Sequence, residues 1–76
     1  MNHAARFVFE TRFAEKLYEV LAPEIASDPG EKSNVRLTRS ESSVFLSVEA
    51  EDAAALRASL NMWLRLVNVS HEVLEL

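Results

Sequence analysis

The stretch from Ala53 to about Val69 holds no glycine or proline, is rich in helix formers, and has too little polar surface for a helix that buries one side only. Projected at about 100° per residue, Trp63, Leu56, Val67, Leu60, Ala53 and Leu64 share one arc, the surface expected to lie on a sheet. A second arc carries Ala58, Val69, Met62, Ala55, Leu66 and Ser59, all small or apolar. Only Arg57, Asn68, Asn61, Ala54 and Arg65 form a polar stripe. Roughly two thirds of the circumference is then apolar or small, the mark of a helix buried on more than one side.

A chain of 76 residues has little else with which to cover such a helix. A domain of this size buries only about 60% of the surface that its unfolded chain exposes. With no cysteine, neither a disulfide framework nor a thiolate zinc site adds stability. The apolar share of 49% and charged share of 26% are those of a folded globular domain. A second subunit is the expected source of the missing cover, at a shared helix face or a sheet edge. In the alternative, the two helices cover each other and the monomer is complete.

The remaining elements follow from local pattern. From Ala5 to Glu10 the residues alternate, with Ala5, Phe7 and Phe9 on one side and Arg6, Val8 and Glu10 on the other, which predicts a strand. Thr11 is placed to cap a helix from Arg12 to about Ala22, its apolar positions Phe13, Leu17, Val20, Leu21 and Ile25 at helical spacing. Pro23 should stop or kink that helix, with at most one more turn to Ala26. The Pro/Gly-containing segment 27–33 reads as a loop within one domain. Two alternating runs follow, Val35 to Thr38 and Val44 to Glu51, joined as a hairpin through Ser40-Glu41-Ser42-Ser43. Asp52 is placed to cap the long helix, and the tail 70–76 is left open between a helical extension and a docked extended segment. The fold expected is α+β: strand-helix-strand-strand-helix, a three-stranded antiparallel sheet with two helices on one face and the third strand at its centre. The chain is one domain, with a core from 6 to 69.

Several function classes are disfavoured. The opening residues lack the apolar core of a signal peptide, and no run approaches the ~20 apolar residues of a membrane span, which predicts a cytoplasmic protein without a membrane role. The net charge of −4 argues against a domain that binds nucleic acid through a generally basic surface. Glu49, Glu51 and Asp52 cluster at a strand-helix junction, but capping and a wet sheet face account for them better than a cation does. His3 and His71 have no second ligand at metal spacing and are expected to be solvated, and the hairpin serines lack a base. No catalytic residue, metal ligand or cofactor site is therefore expected.

Arg57, Asn61 and Arg65 repeat every four residues on the polar stripe, projecting together toward a phosphate, a partner carboxylate or solvent. Arg6, Arg36 and Arg39 are assigned to the outer sheet face with Phe45 among them, a small basic patch with one aromatic platform. A solvated sheet face is the plainer reading of that patch.

The run Glu49-Ala50-Glu51-Asp52, followed by Leu56-Arg57-Ala58-Ser59-Leu60-Asn61 and Leu64-Arg65, resembles the signature of the small dimerisation subunit of the KEOPS complex, especially in its archaeal form. The phenylalanine-rich opening strand, the helix reaching Pro23-Glu24, and Val35 to Leu37 extend the likeness over residues 6–69. Met62 departs from it, standing where that family usually has a small hydroxyl residue. The resemblance implies a noncatalytic subunit of the machinery that makes threonylcarbamoyladenosine in tRNA. It would form a homodimer with a continuous sheet and bind the catalytic ATPase-fold subunit, which carries a kinase-like subunit. By this resemblance Ala55, Ser59, Met62 and Leu66 are the expected subunit contacts, Leu56, Leu60 and Leu64 belong to the core, and Arg57, Asn61 and Arg65 face a partner or tRNA. Two other classes stay open: a small α+β module that binds RNA directly, without the paired aromatics usual on such sheets, and a small enzyme, for which no nucleophile-base pair is visible.

Overall fold

The computed structural model describes residues 3–27 and 33–76, so most of the expected loop at 27–33 lies outside the described residues. The elements run β1 (His3–Glu10), α1 (Ala14–Ala26), β2 (Ser33–Arg39), β3 (Ser43–Ala50) and α2 (Ala53–Glu75). The sheet has the order β1-β3-β2, both pairings antiparallel, with Leu46 opposite Phe7 on one side and Leu37 on the other. The central place of β3 follows from its side chains. Val44, Leu46, Val48 and Ala50 are all buried, whereas the inward residues of β1, Ala5, Phe7 and Phe9, are only half-buried. A strand with a continuous apolar face gains most where it has neighbours on both sides.

Both helices lie on that face. Ala14, Leu17 and Leu21 of α1 join Val44 and Val67 in one cluster, and Val35, Leu46, Val48 and Trp63 form a second beside it. The expected α+β architecture is the observed one.

Two local expectations are corrected and a third is resolved. Thr11 does not sit at the N-cap of α1: its Oγ1 accepts the Phe13 N–H at 3.0 Å, a turn that ends the strand, and the helix begins at Ala14 rather than Arg12. Of the outcomes expected at Pro23 the helix takes the longer one, a single further turn to Ala26. Its fixed φ suits helical backbone, and the Ser27 N–H closes that turn onto the Pro23 carbonyl at 3.1 Å. His71 is only partly solvated. Its ring is half-buried, with Nε2 2.9 Å from Thr11 Oγ1, Nδ1 3.0 Å from Glu75 Oε1, and its edge toward the Phe13 ring.

These contacts settle the tail. α2 continues unbroken to Glu75, 23 residues in all, with Leu74 packed against the first cluster. At 1.5 Å per residue it is about 34 Å long, nearly the full 36 Å of the molecule's longest dimension. Its start is fixed as expected, since Asp52 Oδ1 accepts the Ala55 N–H at 2.7 Å. No helix among the described residues is long and apolar enough to cross a membrane.

Candidate partner-binding surface

The face that α2 turns to the sheet is not the one that hydrophobicity alone selects. The residues it buries most are Ser59, Trp63, Val67 and Ser70, while Leu56, Leu60 and Leu64 pack half-buried against the second core cluster and Ala53 is exposed. The buried stripe is thus rotated toward the arc of small residues, because serine takes up little room where a helix packs closely. One cost is visible: Ser59 Oγ and Trp63 Nε1, one turn apart, are buried with no hydrogen-bond partner among the described residues.

What the rotation leaves outside is a line of apolar residues. Met62, Leu66, Val69 and Val73 are spaced by four, three and four, which places them on one side of the helix. Met62 is 50% exposed, Val69 52% and Val73 61%, with Leu66 half-buried between them. Beside this line, the end of α1 and the middle of α2 enclose an open groove of about 700 Å³. Glu24 and Ser27 stand on the α1 side, and Met62, Leu66, Val69, Asn61 and Arg65 on the α2 side, with Trp63 also lining it. The groove has an apolar floor and a rim with one acid, one base and an amide, so it offers burial along its length and orientation at its edges.

A family model described as "Transcription factor Pcc1" matches residues 2–75. The chain belongs to the Pcc1 family. A relative from Pyrococcus abyssi (strain GE5 / Orsay), named KEOPS complex subunit Pcc1, is 33% identical over 63 residues, which covers 83% of this chain and 77% of the relative.

The structure distributes the expected contact residues of this Pcc1-family chain unevenly. Met62 and Leu66 both line the groove. Ala55, seven residues before Met62 on the same line, is half-buried, and Ser59 is 7% exposed and lies in the interior. Arg57, Asn61 and Arg65 are all exposed, the latter two on the groove's rim. The ion pairs found among the described residues are Lys16–Glu19 and His71–Glu75, neither of which involves these arginines.

Val69 belongs to the arc expected to need cover but not to the contact set implied by the resemblance, and Val73, Glu24 and Ser27 belong to neither. Val73 was hidden by placing the helix end near Val69, although its spacing from Met62 and Leu66 was already in the sequence. Glu24 and Ser27 join the site only because α1 passes through Pro23. Among the described residues no cluster of three His, Asp or Glu side chains is arranged to hold a metal ion.

Proposed function

We propose that this chain is a noncatalytic subunit of a KEOPS complex. It pairs with a second copy of itself and holds the catalytic ATPase-fold subunit of the machinery that makes threonylcarbamoyladenosine in tRNA, working in the cytoplasm. The observation that carries the docking role is the line Met62-Leu66-Val69-Val73 beside its groove: three large apolar side chains at least half exposed along one face of a 23-residue helix. Such a line, rimmed by polar groups, fits recognition of another protein's helix or loop. The name of the Pyrococcus abyssi relative supports the choice of complex.

Self-pairing is assigned to a different surface. β1 is an edge strand with unpaired backbone groups on its outer side, and its Phe7 and Phe9 are only half-buried. A second copy added at this edge would continue the sheet and leave both helices free for the ATPase-fold subunit, which in turn carries the kinase-like subunit. Arg57, Asn61 and Arg65 then face that partner or the tRNA at the rim.

Light scattering after size exclusion, on the chain alone and mixed with the ATPase-fold subunit, tests the reading. A dimer that forms a larger stable complex is expected. A monomer that ignores this partner would overturn it.

A further inference from the structure

The outer face of the sheet carries an arrangement that the docking role does not use. Ser47, on the central strand, is the register partner of Arg6 on β1 and of Arg36 on β2, so two arginines flank one small hydroxyl across three strands. Strands about 4.8 Å apart put the two arginine backbones roughly 10 Å from each other, close enough for both guanidinium groups to reach over Ser47. Neither arginine is ion-paired among the described residues. Two residues along β3 on the same face lies Phe45, half-buried between Val8 and Thr38. Arg6, Arg36, Thr38, Phe45 and Ser47 line one depression of about 300 Å³, closed at its other end by Glu49. Arg39, which the sequence reading placed on this face, is not part of it. It sits an odd number of residues from Arg36 and lies over the Tyr18 ring on the helix side, 5.9 Å from the centroid.

The geometry points to a subsite for single-stranded nucleic acid, with a phosphate held by Arg6, Arg36 and the Ser47 hydroxyl and an adjacent base stacked on Phe45. Two guanidinium groups flanking a small donor match the charge and fork geometry of a phosphate. Phe45 lies about 7 Å along the strand, comparable to the span from a nucleotide's phosphate to its base. Glu49 closes the opposite side to a phosphodiester chain, so the strand leaves the arginine pair toward Phe45 and Thr38. One phosphate and one base on an acidic chain make a weak, salt-sensitive contact, with a log-log slope of about −0.7 for each phosphate held. That the nucleic acid is RNA rests on the function proposed above; the subsite's own chemistry reads phosphate and base.

The test is fluorescence anisotropy of a labelled uridine hexanucleotide titrated with the full chain at low salt. Arg36→Ala, Arg6→Ala and Phe45→Ala are each expected to weaken binding about ten-fold. Phe45→Tyr keeps a stacking ring and is expected to bind as the parent chain does, which separates lost stacking from lost fold. Lys16→Ala removes the same unit of charge from α1 and is expected to change affinity less than about two-fold. Equal losses in Lys16→Ala and Arg36→Ala, an unaffected Phe45→Ala, or no binding by the parent chain would each overturn the subsite. Because the titration needs no partner, Met62→Asp is expected to retain RNA binding, so failure of the docking surface and failure of this subsite are read separately.

Discussion

α1 and α2 cover the same face of one sheet, yet they present different surfaces to solvent. On α1 the apolar residues point inward at Ala14, Leu17 and Leu21, and the outward side is Glu15, Lys16, Glu19 and Glu24, with Val20 its only large exposed apolar residue. On α2 the inward side includes two serines, and the outward side carries Met62, Val69 and Val73. The first helix is accounted for by the monomer's own core. The second leaves apolar side chains exposed beside the core, and those are the ones proposed to meet a partner.

The largest expected effect tests the inward side of α1. Leu17→Ala should lower unfolding free energy by about 3 kcal/mol in urea titration, through lost burial and a cavity. Met62→Asp should leave stability within about 0.5 kcal/mol while weakening binding of the ATPase-fold subunit by about 2 kcal/mol or more in a pull-down series or calorimetry. If Met62→Asp instead destabilised the chain as Leu17→Ala does, the contrast between the helices would fail. His71→Ala removes the bond to Thr11 and the contact with Phe13. It should cost about 1 kcal/mol, with faster amide exchange confined to the last turns of α2. Smallest is Ser59→Ala, which should stabilise by about 0.5 kcal/mol, since it removes an unpartnered buried hydroxyl and improves helix propensity. A loss on Ser59→Ala would mean that the hydroxyl has a partner and that the inward side of α2 is better matched than it looks.

Much of this was legible in the sequence because it depends on local pattern. Alternation located all three strands, the apolar face of Val44, Leu46 and Val48 put β3 at the centre, and Asp52 marked the start of α2. What escaped depends on contacts between distant residues. His71 and the last turns of α2 are held by Thr11 and Phe13, sixty and fifty-eight positions earlier in the chain, a pairing that no local window contains. The rotation of α2 escaped for a related reason. Ranking residues by hydrophobicity selects Leu56, Leu60 and Leu64, which do pack against the core cluster of Trp63 while staying partly exposed, but it passes over Ser59 and Ser70, which are buried more deeply. The groove wall at Glu24 and Ser27 escaped because the turn after Pro23 was expected only as an upper limit, and its place beside α2 depends on packing between distant elements. On the sheet, alternation paired Arg6 with Arg36 correctly, and counting one residue further would have sent Arg39 to the other side.

The order of the strands in space is not their order along the chain, and this has a consequence for how the protein forms and opens. β2 and β3 are joined by a short turn, with the Ser40 N–H bonded to the Ser43 carbonyl at 2.9 Å, so their pairing closes a small loop. β1 must find β3 from the far side of α1, closing a much longer one. The hairpin is therefore expected to be the early structure on the folding path and β1 the late arrival. In the native state the relation reverses: β1 is the first strand to peel away, and its amides should exchange with solvent ahead of those shared by β2 and β3. A subunit docked along the free side of β1 would act as a clasp, slowing that opening without touching the centre of the sheet.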